Sequence, residues 1–175
     1  MIKICKVKGC TKPTVGKSAY CKVHRDIARE KWLANIEGQK QARASKYQKF
    51  NRIWSEAVKV AERAMQKCTP TPMIVAQHAN PLDDNSEVTK SYYVPQGLCG
   101  FAWVNVSPGN SSFANWLKKQ GHARKSYRGG VDIWIRVGGQ SFELKEAYAY
   151  AMAEIFHANA KELGIRSAYA NSRLD

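Results

Sequence analysis

Three cysteines and a histidine fall within twenty residues near the start of the chain. They are Cys5, Cys10, Cys21 and His24, in the spacing C-x4-C-x10-C-x2-H. A stretch this short holds almost no apolar core, so its folding energy has to come from something other than hydrophobic burial, and a bound metal supplies it. Zinc takes four nitrogen or sulfur ligands in a tetrahedron, and this arrangement offers Cys3His. Thiolate ligands exclude magnesium and calcium as the preferred ion. An iron–sulfur cluster more often takes four cysteines. The expectation is a Zn2+ site whose first pair of ligands flanks a turn at Gly9. The second pair, Cys21 and His24, sits one turn apart where a helix begins.

Charge sets the next constraint. The 175 residues carry 28 Lys and Arg against 14 Asp and Glu, a formal net charge of +14. The excess is unevenly placed: residues 1–24 hold six basic and no acidic side chains, and residues 25–67 hold eleven and five. Residues 68–100 are slightly acidic, and residues 101–175 have a net charge of +4. A field of this kind attracts polyanions, nucleic acid first and an anionic membrane second. No apolar run approaches the roughly 20 residues of a membrane span, so no membrane partner is expected. The start of the chain has no leader-like apolar core. Five cysteines, three of them at metal spacing, fit a reducing, cytoplasmic setting.

Three parts are expected. Residues 1–25 form the zinc module, residues 26–68 a basic helical segment, and residues 69–175 an α+β domain. The helical segment is rich in Ala, Glu, Lys, Arg and Gln and has no proline. Gly38 predicts a break or kink near its middle. Before it, Ile27, Trp32, Leu33 and Ile36 line one face. After it, Tyr47, Phe50, Ile53, Trp54, Ala57, Val58, Ala61 and Met65 form an amphipathic stripe. Thr69-Pro70-Thr71-Pro72 ends the helix. Met73–Ala76 and Val88–Val94 are expected strands around a turn at residues 80–85, and they are candidates to join the main sheet.

The main sheet is read as β-α-β-α-β. Strand Phe101–Val106 is followed by a helix capped by Asn110 or Ser111, with Phe113, Trp116 and Leu117 on its apolar face and Gly121 at its end. Residues 131–137 alternate, with Val131, Ile133, Ile135 and Val137 on one side. Ser141 caps a long helix reaching Leu163, with Leu144, Tyr148, Ala151, Met152, Ile155 and Phe156 buried. Gly164 stops it, and residues 166–170 form a last strand.

The stretches Cys5–Cys10 and Lys17–Arg25 resemble the short zinc finger at the front of many bacteriophage HNH endonucleases and related phage DNA-binding proteins. Residues 99–104 and 172–175 are similar to segments of uncharacterised phage proteins. The resemblance implies a finger that contacts DNA as an accessory, beside a separate His-Asn-His catalytic site. The chain departs from that pattern. Neither His78-Ala79-Asn80 nor His157-Ala158-Asn159 opens the expected motif, and His157 lies inside a predicted helix. The acidic cluster Asp83, Asp84 and Glu87 is explained by a solvated loop. Cys68 and Cys99 could pair with His78 in a second site, but they read better as buried thiols.

These features favour a non-catalytic, phage-encoded zinc-finger protein that grips the phosphate backbone, with DNA ahead of RNA as partner. The expected contacts are Lys6, Lys8, Lys12, Lys17, Lys22, Arg25, Arg29, Arg43, Lys46, Lys49 and Arg52. A Gly-flanked loop adds Arg124, Lys125, Tyr127 and Arg128, with Trp134 as an extension: basic groups with an aromatic suit phosphate contact and base stacking. Two alternatives remain. One is a metal-dependent endonuclease related to the HNH enzymes. The other is a virion or host-machinery interaction protein that docks through its Tyr47–Trp54 stripe on an assembly partner. The expected compartment is the host cytoplasm, or the virion.

Overall fold

A computed structural model describes residues 3–175. Met1 and Ile2, which begin the expected module, lie outside the described residues. The class is α+β, as the sequence predicts. The chain divides into two compact units, one up to Gln48 and one over Lys49–Asp175. The helical segment is therefore shared between the two units and does not form a third.

Helix α1 (Lys22–Lys67) runs 46 residues without interruption. The expected break at Gly38 does not occur. Its flanks are strong helix formers, and a glycine in an exposed helix interior costs only about 1 kcal/mol. Nothing lies within 4 Å of the position a Cβ would take there. The apolar residues of the first half are largely exposed, with Trp32 at 60% and Leu33 at 49%. The stripe of the second half is buried in the second unit: Phe50, Ile53, Ala57 and Ala61 are fully enclosed.

Within that unit, strands β1 (Met73–His78) and β2 (Val88–Val94) pair only with each other among the described strands. The expectation that they extend the main sheet is thereby corrected. Their hairpin is closed by its own loop, where the Ser86 hydroxyl donates to the carbonyls of Asp83 and Asn80. The main sheet has the order β4-β5-β3-β6, built from β3 (Gly100–Ser107), β4 (Arg124–Lys125), β5 (Val131–Trp134) and β6 (Ser167–Leu174). All neighbours are antiparallel.

Helix α2 (Ser112–Lys119) is capped by the Ser111 hydroxyl, which accepts from the Ala114 amide at 3.1 Å. Helix α3 (Phe142–Ala158) is capped by Ser141 in the same way. It ends earlier than expected. Asn159 departs from helical geometry and turns its side-chain amide back to the Ile155 carbonyl, after which α4 (Ala160–Leu163) adds one turn. The buried face of α3 is Lys145, Tyr148, Ala149, Met152, Ala153 and Phe156. Leu144, Ala151 and Ile155, expected there, are only half-buried at its margin. Strand β5 stops at Trp134, so Val137 is exposed rather than buried.

The core lies between the helices and one face of the sheet. Ala102, Val104, Val106, Val131 and Ile133 point into it, and Phe50, Phe113, Trp116 and Phe156 fill it. Ring centroids are 5.3 Å apart for Phe50–Phe113 and for Phe113–Phe156, both in edge-on geometry. At the sheet end, Asn105 is buried and ties the Gly129 carbonyl at 3.0 Å and the Asp132 carboxylate at 2.6 Å. The turn it holds depends on Gly130, whose φ is +77°. A Cβ there would sit 2.6 Å from the Val106 carbonyl oxygen, which is backbone and cannot move aside. Gly130→Ala is expected to destabilise the second unit by about 1–3 kcal/mol, read as a lowered midpoint in urea with unchanged slope.

Candidate metal centre and charged surfaces

Residues 3–14 fold back on themselves as a short antiparallel pair. The Cys5 amide donates to the Lys12 carbonyl at 3.0 Å and Thr14 to Lys3 at 2.9 Å, around a bridge between Ile4 and Pro13. The knuckle between them turns at Gly9, with φ +81°, and the Cys10 amide closes it onto the Val7 carbonyl. A second tie, from the Lys6 amide to the Ala19 carbonyl, brings the next loop alongside. Cys21 directly precedes α1, and His24 lies in its first turn, so both point the same way.

The result gathers Cys5, Cys10, Cys21 and His24. Their ligand atoms all lie within 4.8 Å of one another, and they form the one such group among the described residues. Cys10 Sγ is 3.8 Å from Cys21 Sγ, and His24 Nδ1 is 3.3 Å from Cys5 Sγ and 3.4 Å from Cys21 Sγ. Zinc–sulfur and zinc–nitrogen bonds of about 2.3 and 2.0 Å set tetrahedral edges of about 3.8 Å between sulfurs and 3.5 Å between sulfur and nitrogen. The cluster already has that size. It can hold a metal ion through four soft or borderline donors, a set consistent with zinc.

The thiols are differently poised. Burial opposes ionisation of Cys5, but the amides of Cys21 and Val7, with His24 and Cys10, outweigh it and bring the pKa down to about 6. At Cys10 the Lys12 amide favours the thiolate. Burial and the neighbouring Cys21 and Cys5 oppose it, and the value is raised.

All fifteen side chains expected to touch nucleic acid are exposed. In the first unit, Lys8 and Lys12 rim a cleft beside Cys10 and His24. Arg25 approaches Asp26 at 3.9 Å. In the second unit, Arg52 is already engaged, 2.9 Å from Glu162. Arg124, Lys125, Tyr127 and Arg128 do come together, on β4 and the turn after it, and the Tyr127 ring stands free of the protein surface.

The remaining histidines have structural settings. His78 Nδ1 bonds the Ser86 carbonyl at 2.8 Å, and His157 is exposed on α3. His122 stacks on Trp54, with centroids 4.2 Å apart and planes 14° apart. Burial pushes the His122 pKa below its usual 6.5. The unfolded chain then binds more protons than the folded one below that value, so stability falls as pH drops through it. The expected result is a thermal midpoint of the second unit that declines from pH 7 to 5, with a smaller decline in His122→Phe.

Cys68 is half-buried and Cys99 is exposed, which corrects the expectation of two buried thiols. Cys99 sits at the sheet end, one residue before β3 and bridged to Ser141, where no core reaches it. No helix among the described residues is long and apolar enough to cross a membrane. Comparison with protein-family models, with curated proteins and with solved structures finds no match.

Proposed function

We propose that the chain is a non-catalytic nucleic-acid-binding protein, phage-encoded, in which zinc shapes a basic module that grips the phosphate backbone. The observation that carries this reading is the composition of the first unit around its metal cluster. Up to Gln48 it holds twelve Lys and Arg against three acidic residues, none of the three before Asp26. The lysines of the module project from a scaffold in which, among the described residues, only Cys5 and Cys21 are buried. Basic side chains held at fixed spacing, next to the positive end of a helix, suit a row of phosphates. Nothing in this surface spells a base-reading code, so selectivity among duplex sequences is weak.

The test is a filter-binding titration of the metal-loaded chain at about 50 mM salt with duplex DNA and with RNA. Micromolar binding is expected. No binding to either would end the reading. Incubation of supercoiled plasmid with Mg2+ or Mn2+ separates the endonuclease alternative: intact plasmid is the expected result. The interaction-protein alternative loses its original surface, since Phe50 and Ile53 of the aromatic stripe lie in the chain's own core.

A further inference from the structure

The second unit presents a sheet face of its own, which takes in Trp134 and, at its two ends, Arg124 and Arg128 of the basic loop. Along strand β3, Ala102, Val104 and Val106 enter the core, while Phe101, Trp103 and Ser107 lie half-buried on the other side and Asn105 is enclosed there beneath the Gly129 turn. Residues directly opposite in an antiparallel sheet share a face. The register therefore places Trp134 beside Trp103, Asp132 beside Asn105, and Arg173, Asn171 and Tyr169 along the other flank. Arg124 on β4 lies opposite Asp132.

This outer face is aromatic and cationic together. Trp103 and Trp134 stack at 4.9 Å and 25°, and Phe101 meets Trp134 edge-on at 6.2 Å. Trp134 is 40% exposed and Tyr169 47%. The Arg173 guanidinium lies 5.3 Å from the Phe101 ring. Lys145, only 6% exposed, sends its ammonium to the Gly100 carbonyl at 2.8 Å and lies 5.4 Å from the same ring. Among the described residues no carboxylate is within ion-pair distance of it. The Gly100 carbonyl and the Phe101 ring thus partner this ammonium at the edge of the sheet.

Clefts open at both ends of the row. One is lined by Trp134, Arg124, Arg136 and Lys145, and the other by Tyr169, Arg128 and Arg166. Against these cations the face carries one acid, Asp132, which Asn105 already holds.

We infer that this sheet face is a stacking platform for single-stranded nucleic acid, in which Trp134, Trp103 and Tyr169 stack on unpaired bases while the arginines at either end take the phosphates. Duplex bases are already stacked on each other and offer no free ring face, so the platform selects splayed strands. The inference rests on the nucleic-acid reading of the chain but concerns a different unit and a different physical contact.

The test uses the full, metal-loaded chain with T and U oligomers of about 15 nucleotides and a duplex of the same length, followed by anisotropy and tryptophan fluorescence. The wild type is expected to bind both single strands with quenching of its tryptophans, and the ratio of the two affinities reports the sugar preference. Trp134→Ala is expected to weaken single-strand binding about tenfold to hundredfold, to leave duplex binding nearly unchanged, and to be largely restored in Trp134→Phe. Should Trp134→Ala lower the thermal midpoint, the exposed Arg173→Gln takes its place, with a loss of severalfold for single strands alone. Unchanged single-strand affinity in these variants, or equal losses for strand and duplex, overturns the platform. A wild type that binds duplex but gives no quenching with single strands also overturns it while sparing the phosphate grip. A wild type that binds nothing overturns both.

Discussion

A strong chelator is expected to unfold the residues up to His24 and to leave the domain from Lys49 onward intact. The reason is quantitative. Among the described residues of the module only Cys5 and Cys21 are buried, and burying a side chain of that kind contributes at most about 3 kcal/mol. Ordering the backbone costs about 1–2 kcal/mol for every residue fixed. Some twenty residues held by two buried thiols cannot stay folded unaided. A structural zinc contributes an apparent 10–16 kcal/mol or so, enough to reverse the balance. The domain beyond Lys49 has its own core of Phe50, Phe113, Trp116 and Phe156, so it does not follow. The same outcome is expected for Cys10→Ser, Cys21→Ser and His24→Ala. Metal content measured on the purified chain should fall from one zinc to near none, and amide resonances of residues 3–25 should collapse while those of the sheet persist. One zinc retained when Cys5, Cys10, Cys21 and His24 are all replaced would show that the ion sits elsewhere.

The second large effect is on affinity in salt. If the module and the first half of α1 neutralise about six phosphates, the slope of log K against log salt is about −5, and affinity falls roughly a thousandfold between 50 and 200 mM. Lys6→Gln, Lys8→Gln and Lys12→Gln together should reduce that slope by about 3 and weaken binding to all duplex sequences alike. A salt-independent affinity would contradict a phosphate grip. Loss confined to one sequence would mean that these lysines read bases.

The Cys3His cluster was legible in the sequence because chemistry and spacing coincide there: cysteines at C-x4-C need a turn to meet, and Gly9 supplies it with φ +81°. The caps at Ser111 and Ser141 were legible for a similar reason, since each hydroxyl precedes an apolar run. Pairing was harder. Nothing in Met73–His78 or Val88–Val94 says which strand they join, because both alternate weakly and neither face is buried in the structure. The end of α3 at Asn159 was hidden by helix formers on both sides of it. The sheet face was half visible. The alternation of residues 131–137 put Trp134 outside, but its neighbours Trp103 and Tyr169 come from strands whose register no local pattern specifies. Lys145 was missed altogether, since a lysine in an amphipathic helix reads as solvent-facing until the Gly100 carbonyl is seen beneath it.

The unequal burial of the five cysteines has a practical consequence. With three thiols engaged by a metal, two remain for an electrophile. Burial, together with the negative charge of Glu143, raises the Cys68 pKa and keeps it in the unreactive thiol form at neutral pH. Cys99 is exposed, one residue from the start of β3. A maleimide dye added to the zinc-loaded chain would therefore settle on Cys99, at the edge of the aromatic face, and give a reporter of strand capture in the native sequence. Stripped of metal, the module unfolds and the same chain would take the dye at Cys5, Cys10 and Cys21 as well, so the number of labels incorporated counts the occupancy of the module.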